Sequence, residues 1–194
     1  MASITTPETS SDQQLVYRVV VLHNREAFDT LYLRYIERIR KFIGFKISRP
    51  EDVEDLCADV FWRTWQYLTT KEGVDIKHFR AFLYQVARNA VANFYRSQGR
   101  IPEMMDIDDP EEYTEIKDSR IGILEEHLRA QDIDALVEAV QKLREPLREV
   151  IALRFFEELE MQEIAEVIGK KQGNVRVLIH RGVRELQKII GFTI

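Results

Sequence analysis

The side chains best suited to recognition chemistry lie near the C-terminal end. Lys170, Lys171, Gln172, Asn174, Arg176, His180 and Arg181 crowd into one short stretch. Amide and guanidinium groups can bridge adenine and guanine at base edges in the DNA major groove, while ammonium groups neutralise phosphates. The surrounding charge supports that chemistry. Residues 133–166 carry four Lys/Arg against nine Asp/Glu, net −5, whereas residues 167–194 carry six against one, net +5. A basic C-terminal helix that only complements its own dipole would be a blander explanation. It would not put Lys170 and Lys171 in a turn. Bond-making chemistry finds no such grouping. His23, His78, His127 and His180 are scattered, with no ligand-spaced pair and no nucleophile constellation, so neither an enzyme nor a metal or cofactor is expected.

The elements that would position the recognition residues are two short helices around a tight turn. Ile164, Ala165 and Ile168 recur on one face of the first, and Val175, Leu178 and Ile179 on one face of the second. Gly169 stands where the chain must reverse and can take the positive φ that ends a helix. Ala165 is small where the helices would cross. This is the pattern of a helix-turn-helix, whose second helix enters the major groove. An ordinary helical hairpin is the competing reading.

Two other stretches could make contacts. In residues 51–68, Val53, Leu56, Val60, Phe61, Thr64 and Leu68 form a core stripe, while Asp52, Asp55 and Asp59 recur at three- and four-residue spacing on another face. Trp62 and Trp65 stand nearby. Such an acidic row is ordinarily solvated, but flanking tryptophans suit a surface meant for burial against a partner. In residues 78–96, Phe79, Phe82, Leu83, Val86, Ala87 and Val91 can supply a core face. Arg80, Arg88, Asn89, Asn93, Tyr95 and Arg96 are left for another surface, where aromatic, arginine and asparagine groups could stack on and hydrogen-bond unpaired bases.

Composition bounds the rest. The chain has 194 residues, 45% hydrophobic and 31% charged, with net charge −5, so any DNA contact must be local. Its one cysteine, Cys57, excludes an internal disulfide and fits a reducing cytoplasm. The first residues lack the layout of a secretion signal, and no apolar run reaches the length of a membrane span. A polar tail is expected over residues 1–12. Helical periodicity fills 13–100, with a break at His23 or Asn24 and a stop and restart at Ser48-Arg49-Pro50. Residues 101–132 then hold eleven Asp/Glu and three Lys/Arg, net −8, with Pro102 and Pro110, which reads as a flexible acidic linker. Periodicity returns at Ile133 and continues through a helix begun at Pro146, and the helix-turn-helix domain occupies 133–194. The expected fold is all-α, two small helical domains joined by the linker.

With both halves in view, the chain resembles the bacterial sigma factors of the extracytoplasmic-function group. Ala27-Phe28 through Tyr35 is similar to the opening of the family's second region, and Asp55-Leu56 through Trp65 to its polymerase-binding helix. Phe79-Arg80 through Tyr95-Arg96 is similar to its segment that melts and reads the minus-ten element. Leu143 through Phe156, with the helix-turn-helix, resembles the fourth region, which reads the minus-thirty-five element. The resemblance implies a dissociable subunit of core RNA polymerase that directs promoter-specific initiation. Asp52, Asp55, Asp59 and Trp62 would dock on the clamp coiled coil of the largest subunit, with the flap of the second-largest as a further contact. Arg80, Arg88, Asn89, Asn93, Tyr95 and Arg96 would hold minus-ten DNA. Lys170, Lys171, Gln172, Asn174, Arg176, His180 and Arg181 would hold minus-thirty-five DNA, the turn lysines and Arg181 on phosphates. An anti-sigma factor or other regulator is an expected partner. The chain departs from the family in carrying Ala58 for glutamine, Lys171 for a serine-type cap, and Asn174, Val177 and Leu178 for Thr, Ser and Arg. Asn174 and Arg176 are therefore expected to carry more of the readout. A stand-alone helix-turn-helix regulator with an N-terminal sensing domain is the alternative.

Overall fold

The computed structural model describes residues 10–71, 76–99 and 133–190, and every element among them is helical. The chain divides into two compact units, Met1–Arg100 and Ile101–Ile194. Most of the expected tail and all of the expected acidic linker lie outside the described residues.

In the first unit, α1 (Asp12–Leu22) is started by Ser11, whose hydroxyl accepts from the Gln14 N–H at 3.3 Å while Gln14 returns its side-chain oxygen to the Ser11 N–H at 3.1 Å. This reciprocal box satisfies two amides that a helix start leaves without partners. Asp12, expected in the tail, thus opens α1. Its carboxylate also binds Arg34 and the Tyr35 hydroxyl, both on the next helix. The expected break falls at both His23 and Asn24. His23 takes a left-handed φ of 51° and ends α1, and Asn24 caps α2 (Arg25–Gly44) by accepting from the Ala27 N–H at 2.7 Å. Pro50 opens α3 (Pro50–Thr70), where its missing N–H costs nothing, and α4 spans Phe79–Ser97.

The four helices share one core, with aromatic pairs inside it and along its edge. Phe28 meets Trp65, Tyr32 meets Phe61 and Phe42 meets Tyr84, all edge-on with ring centroids 4.8–5.2 Å apart. These pairs fix α2 against α3 and against α4. The stripes are turned slightly from those read in the sequence. Cys57 is buried and Leu56 only half-buried, and α4 buries Ala81, Tyr84 and Ala90 while Phe82 and Val86 are half-buried. The cause is that α4 packs against more than one neighbour, so its buried arc is wider than a single-stripe pattern assumes.

In the second unit, α5 (Ile133–Gln141) precedes α6 (Leu147–Ile151), which runs directly into a π-helical turn over Ala152–Phe156. The Arg154 guanidinium donates to the Leu159 carbonyl at 3.1 Å and braces the connection into α7 (Met161–Ile168). Gly169 ends α7 with φ +68°, as its position in the turn required. The last helix, α8 (Gln172–Ile190), runs well past the short second helix expected from the sequence. Its buried face is Val175, Leu178, Ile179, Gly182, Val183 and Leu186, against α6 and α7. At Gly182 the approach is close enough that a Cβ would lie 2.7 Å from Ile151 Cγ1.

Candidate nucleic-acid and partner interfaces

α3 presents its acidic row on the side opposite its core. Asp55, Asp59 and Trp62 follow one another at four and three residues and so share a strip. Trp62 is 58% exposed although indole is costly to leave in water. The three carboxylates differ in their surroundings. Asp59 accepts from Arg63 Nε at 2.7 Å, and Asp52, half-buried, lies 3.7 Å from Arg49 Nε. Asp55 is exposed and forms no ion pair among the described residues. Just off the strip, Glu54 is occupied differently. Arg40 of α2 grips it with two nitrogens at 2.7 and 3.2 Å, and that hydrogen bonding holds the Glu54 carboxyl below its ordinary pKa. Glu54 therefore ties α2 to α3, and Asp55 beside it is left to meet something else.

α4 contrasts with α3: it contains Arg80, Arg88 and Arg96 and no acidic residue. The expected contact set divides in two. Asn89, Asn93 and Arg96 are exposed and fall together on the outer face. Arg80, Arg88 and Tyr95 are half-buried at its margin. The Tyr95 hydroxyl donates to the Lys46 carbonyl just past the end of α2. Tyr95 thus has a holding role that its sequence context did not reveal, because its partner lies 49 positions earlier. On the neighbouring edge Lys71 stacks over Tyr67, 4.5 Å from the ring centre, and Tyr67 in turn meets Phe82 at 4.8 Å.

In the second unit, the buried face of α8 sets what the opposite face offers. Directly across from Val175, Leu178, Gly182 and Leu186 stand Gly173, Val177, His180, Arg181, Arg184 and Lys188. Arg176 and Asn174 lie on the two shoulders of this strip, Arg176 exposed and Asn174 half-buried. Gln172 is exposed at the first turn, beside Lys170 and Lys171 in the turn. No acidic residue occupies that first turn, so the positive end of the helix dipole and the two lysines make one end suited to a phosphate. The structure thus gathers the seven expected residues in the turn and the first half of α8, with His180 and Arg181 on the outward strip, Arg176 and Asn174 on its two shoulders, and Gln172 toward the buried side. Val177 and Arg184 were not among them, although the phase of the flanking Val175, Leu178 and Val183 puts both at the centre of the outward strip.

Residues 31–101 match the family described as Sigma-70 region 2, and residues 133–186 match Sigma-70, region 4. The RNA polymerase sigma-H factor of Pseudomonas aeruginosa is 30% identical over 183 residues, covering 92% of this chain and 93% of that protein. The chain belongs to the extracytoplasmic-function sigma factors. The sigma-E factor of Escherichia coli K12, described as an extracytoplasmic-function RNA polymerase sigma factor, is 29% identical over 182 residues, covering 90% of this chain and 91% of its own length. BldN of Streptomyces coelicolor, described in the same way, is 31% identical over 172 residues, and the match spans 61% of its length. Among solved structures, CnrH in complex with the cytosolic domain of CnrY superposes with a TM-score of 0.65 at 22% identity, covering 94% of this chain and 98% of that one. The sigma factor RpoE of Bartonella quintana, in complex with the anti-sigma factor NepR, gives 0.56 at 17% identity, covering 86% and 98%. These two likenesses bear on the fold of the sigma factor described here. The region-two match covers the first unit from within α2 onward and the region-four match lies within the second unit, and no described helix is long and apolar enough to cross a membrane.

Proposed function

We propose that this sigma factor binds core RNA polymerase and directs initiation at promoters by reading a minus-ten element with its first unit and a minus-thirty-five element with its second. The observation that carries the reading is the opposed charge within one small bundle: α3 exposes Asp55 and Trp62 with the half-buried Asp59 on the same strip, and α4 exposes Asn89, Asn93 and Arg96. One helix suits a basic protein partner and the other suits nucleic acid. The acidic strip docks on the clamp coiled coil of the largest polymerase subunit, and the flap of the second-largest subunit receives the second unit. Asn89, Asn93 and Arg96 hold bases flipped from the opened strand, at a cost of a few kcal/mol for unstacking. Arg80, Arg88 and Tyr95 flank them. In the second unit Lys170, Lys171 and Arg181 take phosphates, and Gln172, Asn174 and Arg176 face base edges, with His180 beside them. An anti-sigma factor is the expected regulator, as the Bartonella sigma factor was solved with one.

Run-off transcription with purified core polymerase on a genomic fragment library tests the reading. The chain with core should give discrete start sites that neither gives alone. A chain that binds its DNA tightly without core is instead a stand-alone regulator. Within the complex, Asn89→Ala should leave core binding intact and reduce open-complex formation, with partial recovery on a template already mismatched across the minus-ten region. Undiminished transcription on both templates would remove Asn89 from the base-holding set.

A further inference from the structure

The outward strip of α8 contains one apolar side chain, and it stands at the centre. Val177 lies one turn after Gly173 and one turn before Arg181, with Arg184 two turns on. It is half-buried, and it sits across the helix from the residues that make the core, Val175, Leu178 and Gly182. It therefore lies outside the buried face of α8 although neighbouring side chains cover part of it. Helix formation gives no reason for valine there, since a β-branched side chain is a slightly poor helix former. The other side chains of the strip, His180, Arg181, Arg184 and Lys188, are polar or charged, and valine is the exception.

We propose that Val177 is a specificity residue that reads the C5-methyl group of a thymine in the upstream DNA; this rests on the assignment of α8 to the major groove. Thymine is the one base that offers an apolar group in that groove, and side-chain methyls are its natural complement. Valine has further advantages for the task. In a helix its χ1 is held in essentially one rotamer, so little side-chain freedom is lost when it docks. Gly173, a turn earlier, adds no side chain that would hold the helix away from the groove floor. The positive charges of Arg181, Arg184 and the turn lysines draw the helix in, and Val177 then discriminates by shape and desolvation rather than by charge.

The experiment uses the full chain bound to core polymerase and a promoter obtained by run-off selection. Each thymine of the upstream element is replaced singly by deoxyuridine, which removes only the methyl group. Val177 predicts one position where wild-type binding weakens about fourfold, the loss expected for one buried methyl. Val177→Ala should bind the thymine promoter more weakly and show no difference between thymine and uracil at that position. The uracil scan on the wild-type protein needs no variant to fold, and helical content and melting of Val177→Ala provide the control for the second arm. The proposal is overturned if no uracil replacement weakens binding, or if Val177→Ala keeps the full uracil penalty. A different result, in which scrambling the entire upstream element leaves binding unchanged, would overturn the assignment of α8 to DNA itself.

Discussion

Asp55→Lys should act in opposite directions on folding and on polymerase docking, which makes it the sharpest test of the acidic strip. In the free protein Asp55 is exposed and without an ion pair among the described residues, and it shares its helix face with Glu51, Asp52 and Asp59 at i−4, i−3 and i+4. Each such like-charge neighbour on a helix costs a few tenths of a kcal/mol, and each opposite pair returns about as much. Reversing Asp55 converts three repulsions into three attractions, so the isolated protein should hold or gain about 0.5–1 kcal/mol after partial solvent screening. At a docked interface the same change sets like charges together at a cost of several kcal/mol. Taking about 3 kcal/mol, the affinity for core should fall roughly 150-fold.

The assay is equilibrium binding of fluorescently labelled protein to core polymerase, with thermal melting of the free variant alongside. Glu54→Lys is the matched control. It reverses the neighbouring charge but lies off the strip and breaks the Arg40 contact, so it should weaken the fold while sparing core affinity. Core affinity within threefold of wild type for Asp55→Lys would refute the docking assignment. Equal losses for both variants would mean that core polymerase senses only the overall charge of α3.

Gly182→Ala should destabilise the second unit by about 1–3 kcal/mol in thermal melting, because its new Cβ would meet Ile151 Cγ1 at 2.7 Å in a packed core. Combining it with Ile151→Ala should cost less than the two losses added, since the second change removes the obstructing atoms. Burial pushes the Cys57 thiol up to about 11, so the stability it contributes is complete below its ordinary value of 9.0 and is lost as pH rises through about 11. Melting temperatures compared between wild type and Cys57→Ala over that window should converge toward high pH, and Cys57 should resist alkylation until the first unit unfolds. Lys171→Ala should weaken binding to all upstream sequences alike and flatten the salt dependence of holoenzyme binding by about one unit, whereas Arg176→Ala should relax preference at one or two base pairs.

The sequence carried the elements further than it carried their orientation. Local rules located the break at His23 and Asn24, the restart at Pro50 and the reversal at Gly169, since each depends on the backbone of a few neighbouring residues. What local rules miss is the choice between adjacent residues at the edge of a stripe. Cys57 rather than Leu56 enters the core because α2 and α4 together decide which side of α3 is covered, and that information lies well outside the local sequence. Tyr95 reads as a stacking residue until its hydroxyl is seen on the Lys46 carbonyl. On α8 Arg176 reads as a base contact from its guanidinium and its place near the start of the helix, neither of which fixes its phase. The helical period, carried on from Val175 through Leu186, brings Val177 and Arg184 to the centre and leaves Arg176 on a shoulder.

The charge distribution also bears on why two weak readers would be joined through a third body. The whole chain carries −5, so a duplex repels it at long range, and the local positive strip on α8 and the exposed face of α4 must reverse that sign at contact. Salt screens both patches strongly because they are exposed. Neither patch alone should hold DNA at physiological ionic strength. If polymerase binds the acidic strip of α3 and the second unit at once, both readers are presented to the same promoter at a high effective concentration, and their modest affinities multiply. The same negative total that disfavours free DNA binding favours docking on a basic partner, so the protein should find polymerase before it finds promoters. That ordering makes a direct demand on α3: any change that abolishes docking should abolish promoter occupancy in full, even with every residue of α4 and α8 intact.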